Sequence, residues 1–367
     1  MTSYTISYSA LSTEVAQHKA ELMSAVEGVL DSGRYILGPE VEGFEHEFAE
    51  YCQAKFAFGV SNGTSALHLV LRGIGLVPGD EVITVPNSFI ATVSPIALAG
   101  AKPVFVDIGD DGNMDPQRLE DAITDRTRAI IPVHLTGRPA KMNDILAIAQ
   151  KRNLFVLEDA AQAVGASLDG KRVGSWGHAA CFSLHPLKNL HAFGDGGMIT
   201  SQDPDLIALL PRLRNHGLAN REQCDFWSFN SRLDSMHAAM LRIQLRYLDE
   251  WTEARRKLAF RYNDLLHPYV EVPNEGLGER CVFQTYVIKA ERRNELKQYL
   301  NEHGVEALIH YETPIHLQPA AKSLGYSASD FPKTMKHVSK ILSLPLHSNL
   351  SETQQDRVVE LISNFYT

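Results

Sequence analysis

Lys188 stands at a place where an amine can do chemistry. The run Ala179-Ala180-Cys181-Phe182-Ser183-Leu184 reads as a buried strand, and His185-Pro186-Leu187-Lys188-Asn189-Leu190 follows as a turn carrying an imidazole and an amine. Lysines are usually solvated. One that follows a buried strand sits in a partly desolvated pocket, where it loses its proton readily and can attack a carbonyl carbon. The glycines of Gly194-Asp195-Gly196-Gly197 just beyond it read as a flexible segment.

Three other strand ends carry partners for such a lysine. In Val60-Ser61-Asn62-Gly63-Thr64-Ser65, a strand closes on a glycine turn that opens a helix, and its free N–H groups and hydroxyls suit a phosphate. In Leu154-Phe155-Val156-Leu157-Glu158-Asp159, an apolar strand ends in two acids pointing opposite ways, with Asp159 at the tip able to hold a cationic ring nitrogen or a metal. In Pro86-Asn87-Ser88-Phe89-Ile90-Ala91-Thr92, Phe89 is placed to stack on a flat ring. Each has a plainer alternative: a capping turn through Asn62 or Thr64, an Asp159 helix cap with Glu158 in solvent, and a core phenylalanine. Together the four supply a phosphate cradle, a ring-nitrogen carboxylate, a stacking aromatic and a Schiff-base lysine, the set that a pyridoxal 5'-phosphate site requires.

The elements that position these residues alternate. Apolar runs at 56–60, 81–85, 103–106, 129–132 and 154–157 read as strands, with helices expected over 65–73, 88–99, 116–123 and 140–151 between them. Such alternation implies an α/β fold around a mostly parallel sheet covered on both faces. The runs 179–184 and 197–201 would bring it to seven strands. Ligands in such sheets gather at the carboxyl ends of the strands. Amphipathic helices are expected over 12–30 and from Pro39, and a long one over 232–266. Beyond Pro273 a strand at 282–290, a helix at 292–303 and a terminal helix at 351–366 suggest a smaller α+β domain. The division expected is 1–255 for the large domain and 256–367 for the small one.

Bulk properties exclude several classes. A net charge of −9, with 44% hydrophobic and 22% charged residues, argues against nucleic acid or an anionic membrane as the main partner. Arg255-Arg256-Lys257 reads as one solvated helix face. Met1 to Ala10 lacks the pattern of a signal peptide, no apolar run is long enough to span a bilayer, and the four cysteines are scattered without a CxxC, so a reduced cytoplasmic protein is expected. Among fifteen histidines, neither His185 and His191 nor His310 and His316 have helical ligand spacing, so no metal site is expected. The glycine run is not a GxGxxG, which argues against a dinucleotide site.

With these motifs in order, the chain resembles the sugar-nucleotide aminotransferases of the DegT/DnrJ/StrS group, which are fold-type-I pyridoxal-phosphate enzymes. The resemblance covers nearly the whole sequence, including Pro78-Gly79-Asp80-Glu81-Val82-Ile83, Pro132-Val133-His134-Leu135, Glu158-Asp159-Ala160-Ala161-Gln162, Phe182-Ser183-Leu184-His185-Pro186-Leu187-Lys188-Asn189-Leu190 and Asn230-Ser231-Arg232-Leu233-Asp234. It implies that Lys188 forms the Schiff base, Asp159 pairs with the pyridine nitrogen, Gln162 contacts the ring hydroxyl and Phe89 covers a ring face. Gly63, Thr64 and Ser183 would bind the phosphate, joined by Asn230 from across a homodimer interface. His185, His310 and Tyr311 are the implied substrate-side groups, with His316 and Arg232 as weaker candidates. Where relatives have Gln before paired alanines, this chain has Ser235-Met236-His237 before Ala238-Ala239, a departure that bears on substrate choice.

The implied reaction moves an amino group, with glutamate as donor, to a nucleotide-linked keto-sugar, Lys188 carrying the proton. Open alternatives are elimination, a free amino acid or non-nucleotide sugar as substrate, a non-catalytic regulator that kept the fold, and metal hydrolysis. Relatives that dehydrate have histidine in place of the lysine; Lys188 is present here.

Overall fold

In a computed structural model, which describes residues 4–367, the chain runs α1 (Leu11–Ser32), α2 (Pro39–Tyr51), β1 (Phe56–Val60), α3 (Gly63–Gly73), β2 (Glu81–Thr84), α4 (Ser94–Leu98), β3 (Lys102–Phe105), α5 (Pro116–Ala122), β4 (Thr127–Ile130), α6 (Met142–Arg152) and β5 (Phe155–Asp159). A short pair, β6 (Ser167–Leu168) and β7 (Lys171–Arg172), precedes β8 (Ala179–Ser183), β9 (Gly197–Ser201), α7 (Pro204–Leu213) and the 32-residue α8 (Ser235–Leu266). Met1 to Ser3, within the stretch read for a signal peptide, lie outside the described residues.

The expected seven-stranded sheet is present, in the order β1-β9-β8-β5-β4-β2-β3. Only β9 runs against its neighbours; the remaining pairings are parallel. All residues of β2 and β9 are buried, which is why Val82-Ile83 and Met198-Ile199 stand side by side rather than alternating with polar residues. One face packs on α2 and α8 through Phe44, Phe48, Phe182 and Leu241; the other packs on α3 and α7 through Leu67, Val70 and Leu210. Register sets the site. Val60 and Ser183 both pair with Gly197, and Asp159 pairs with Cys181, so the functional strand ends finish at nearly one level.

Two expectations need correction. The helix expected over 88–99 is instead a turn, a single 3-10 turn (Ile90–Thr92) and the five-residue α4. Pro95 sits in the first turn of α4, where its missing N–H costs nothing; inside a longer helix it would remove a hydrogen bond and clash. Arg255-Arg256-Lys257 is not a solvated face. Arg255 donates to the Leu346 carbonyl at 2.5 Å, Arg256 pairs with Glu275, and only Lys257 is exposed.

The C-terminal part holds β10 (Glu279–Arg280), which joins the β6–β7 pair, and β11 (Tyr286–Lys289), paired antiparallel with β12 (Ile341–Leu344). Around β11 and β12 lie α9 (Arg293–Glu302), α10 (Pro332–Lys340) and α11 (Glu352–Tyr366). Leu361 and Ile362 point into this second core, as their spacing predicts. The strand expected over 282–290 begins its pairing only at 286, because Val282 and Thr285 donate their N–H groups to Gly137 and Thr136 of the large domain. α8 runs unbroken through 255 and 256, the position expected for the domain division. Leu248 belongs to the large core and Ala259 to the small one, together with Ile6 from the N-terminal segment.

Candidate active site

The Lys188 turn closes when its N–H donates to the His185 carbonyl at 2.8 Å, while the His185 N–H donates to Ser183 Oγ at 3.3 Å. Burial lowers the Lys188 ammonium from its ordinary 10.5 to about 8, against the opposing pull of the Asp159 carboxylate. His310 is pushed down to about 4 by burial and then by the positive charge of Lys188, so it stays neutral at pH 7. Its Nδ1 lies 2.8 Å from Ser343 Oγ.

Asp159 is buried at the tip of β5, with one carboxylate oxygen accepting from Ala161 N–H at 3.2 Å and the other from the Thr92 hydroxyl at 2.7 Å. Burial raises its pKa, and these two hydrogen bonds work in the opposite direction. Its neighbour Glu158 points the other way, but not into solvent as the capping alternative held. It is fully buried, accepting from the N–H groups of Gly174, Trp176 and Gly177 and facing His134 Nε2 at 3.0 Å. Ala140 N–H donates to His134 Nδ1, which puts that ring's proton on Nε2, aimed at Glu158.

Gln162 accepts from Thr136 N–H at 2.6 Å and donates to the Tyr311 hydroxyl at 3.3 Å. The rings of Tyr311 and Phe89 lie 5.3 Å apart, and Phe89 is half exposed rather than a core side chain. At the turn after β1, Asn62 caps α3 by accepting from Ser65 N–H, so the capping alternative describes Asn62 correctly without excluding a ligand. A Cβ on Gly63 would come within 3.0 Å of Ser183 Cβ, and one on Gly197 within 2.4 Å of the Asn62 carbonyl carbon. The cradle is therefore two backbones in contact, with Thr64 exposed beside it. The glycine run read as flexible is packed: Gly196 and Gly197 are buried.

The structure thus brings Gly63 and Ser183 together, and links Gln162, Tyr311 and Phe89 in one chain of contacts around Asp159 and Lys188. His185 is exposed at the turn. Asn230 is also exposed, and its side chain makes no hydrogen bond among the described residues, although Ser231 Oγ lies 3.0 Å from Ser61 Oγ. Of the weaker candidates, Arg232 bonds Asn215, and His316 is buried against Phe331 in a small apolar cluster. Sequence reasoning missed Thr92 and Thr136; for Thr92 the signal was its place three residues after Phe89. It also missed Tyr8, whose hydroxyl lies 3.4 Å from Thr285 Oγ1 and whose ring lies 5.4 Å from that of His310. A cleft of about 910 Å³ between the two cores touches this centre only at its edge, through Thr136, Thr285 and His310. No group of His, Cys, Asp and Glu that could hold a metal ion occurs among the described residues.

A half-buried lysine and a buried carboxylate at the carboxyl edge of a largely parallel sheet, with a glycine cradle alongside, define an aminotransferase-type α/β protein. The model of the DegT/DnrJ/EryC1/StrS aminotransferase family matches residues 16–363, and the chain belongs to that family. It is 45% identical over 97% of both chains to a pleiotropic regulatory protein of Geobacillus stearothermophilus. It is 42% identical, over 94% of this chain and 92% of the relative, to a dTDP-3-amino-3,4,6-trideoxy-alpha-D-glucose transaminase of Streptomyces venezuelae. Among solved structures, S. venezuelae DesV in complex with a ketimine intermediate superposes with a TM-score of 0.96 at 40% identity, over 100% of this chain and 99% of that one. The PLP form of the sugar aminotransferase Spr1654 from Streptococcus pneumoniae superposes at 0.89 with 26% identity, over 95% and 97%.

Proposed function

We propose that this protein is a pyridoxal 5'-phosphate-dependent aminotransferase that passes an amino group from L-glutamate to a nucleotide-linked keto-deoxysugar. The observation that carries the reading is the convergence of a half-buried amine of lowered pKa, Lys188, with a buried carboxylate held at the strand tip, Asp159. When bound, the cofactor supplies a carbonyl for the amine and a ring that accepts electrons.

The residues present fit that group. The close approach of Gly63 to Ser183 leaves backbone N–H groups and the hydroxyls of Thr64 and Ser183 for a phosphate. Phe89 would cover one ring face and Gln162 would meet the ring hydroxyl. Asp159 would hold the ring nitrogen's proton. Lys188 would hold the cofactor's carbonyl carbon and, with its amine free, would serve as the base that takes a proton from the donor carbon and the acid that delivers it to the cofactor. Neutral His310 and Tyr311 are the sugar-side groups, with His185 at the mouth. The exposed Asn230 is assigned to the partner's phosphate site in a cytoplasmic homodimer, which makes each site a product of both chains.

The name of the G. stearothermophilus relative favours a second reading, a regulator that kept the fold. An absorbance spectrum of the purified protein, before and after glutamate, separates the two. A visible band that glutamate moves to the near-ultraviolet supports the enzyme. Absence of a band after incubation with pyridoxal phosphate refutes it. Turnover with 3-keto and 4-keto nucleotide sugars then tests the acceptor.

A further inference from the structure

We propose that Thr92 is a positioning residue that fixes the Asp159 carboxylate for the cofactor's ring nitrogen; this inference rests on the function proposed above. A carboxylate has no proton to give, so the 2.7 Å contact is Thr92 donating to Asp159. Donation uses the only proton of Thr92, so its 2.8 Å contact with Ser88 is Ser88 donating to Thr92. The order Ser88 to Thr92 to Asp159 is therefore fixed by the acceptor at its end. All three side chains are buried, with exposures of 4%, 1% and 4%, so water does not substitute for a missing member.

The arrangement does two things. Each Asp159 oxygen has one protein donor, Thr92 on one and Ala161 N–H on the other, which sets the plane of the carboxylate and leaves lone pairs for a third donor. It also opposes the rise in pKa that burial imposes on this carboxylate, and among the opposing contributions that of Thr92 is the largest. Threonine suits the position because its branched side chain has few χ1 choices. The same short segment carries Phe89, so one turn presents both the ring-covering aromatic and the group that aims the ring-nitrogen carboxylate. That turn is tied to the small domain where Ile315 N–H donates to the Pro86 carbonyl at 2.7 Å.

The test uses full-length protein loaded with ring-¹⁵N pyridoxal phosphate, read by ¹⁵N NMR, in wild type, Thr92→Val, Thr92→Ser and Ser88→Ala. Valine keeps the shape and removes the hydroxyl. The expected result is a protonated-ring signal in wild type, displaced toward the unprotonated position in Thr92→Val and restored in Thr92→Ser. Ser88→Ala, which removes only the donor behind Thr92, should fall between wild type and valine, and supplies an arm independent of how Thr92→Val folds. The half-reaction with glutamate should slow roughly 10- to 100-fold in the valine variant, the scale of losing a hydrogen bond to a charged group. Wild-type signal and rate in both Thr92→Val and Ser88→Ala would overturn the inference while leaving the proposed function intact. Wild-type protein that takes up no cofactor would overturn both.

Discussion

Burial and charge pull the amine of Lys188 in opposite directions, and the balance can be read in a rate. Removing the ammonium from water favours the neutral form; the Asp159 carboxylate favours the charged one. Burial prevails, and the pKa falls from 10.5 to about 8. At pH 7 an ordinary lysine is neutral in about one molecule in 3,000, whereas one at about 8 is neutral in about one in ten, a gain of roughly 300-fold in reactive amine. Apo-protein mixed with pyridoxal phosphate in a stopped-flow spectrometer should therefore capture the cofactor covalently at a rate that climbs about tenfold per pH unit below 8 and then flattens. His310 does not confuse the profile, because at about 4 it is neutral across this window. Buried Cys181 does not either, since burial pushes its thiol well above its ordinary value. Asp159→Asn supplies the sign test. Without the opposing carboxylate, the amine should lose its proton more readily still, and the bend should move to lower pH. A rate that keeps rising to pH 10, or a bend that moves upward in Asp159→Asn, refutes the argument.

Three further outcomes follow from contacts around the centre. Gly197→Ala places a methyl group within 2.4 Å of the Asn62 carbonyl carbon, so thermal unfolding should show a loss of about 1–3 kcal/mol, with weakened retention of pyridoxal phosphate. Glu158→Gln turns one acceptor of a buried four-donor site into a donor, and urea unfolding should register a loss of roughly 3 kcal/mol. If Asn230 serves the partner's phosphate site, co-refolding the inactive Lys188→Ala chain with Asn230→Ala should restore turnover, because one site of each mixed dimer regains both residues; no recovery assigns Asn230 to its own chain.

The sheet was legible because its strands are buried on both faces. Glu81 to Thr84 and Gly197 to Ser201 have no solvent side, so composition and length alone mark them. The helix at Pro39 was legible for the opposite reason, since one face carries Val41, Phe44 and Phe48 into the core and the other remains polar. The small domain was harder to read. β12 is four residues long and follows α10 directly, and Val282 and Thr285 spend their N–H groups on Gly137 and Thr136. Neither fact leaves a periodic trace.

In the site, residue type told which groups can do chemistry but not which neighbours hold them. Lys188, Asp159 and Phe89 are conspicuous because each is odd for a strand end. Thr92 and Thr136 are not, since a hydroxyl and a backbone N–H become meaningful only when folding places them against Asp159 and Gln162. The glycine run shows the converse. Read along the chain, Gly194 to Gly197 means freedom; read across the sheet, Gly197 stands opposite both Val60 and Ser183, where a side chain would strike the Asn62 backbone. The glycine is required by closeness rather than by motion. A rigid contact at that point would also serve the proposed chemistry better than a mobile one, because a phosphate held by Gly63 and Ser183 would be kept at a constant place relative to Lys188.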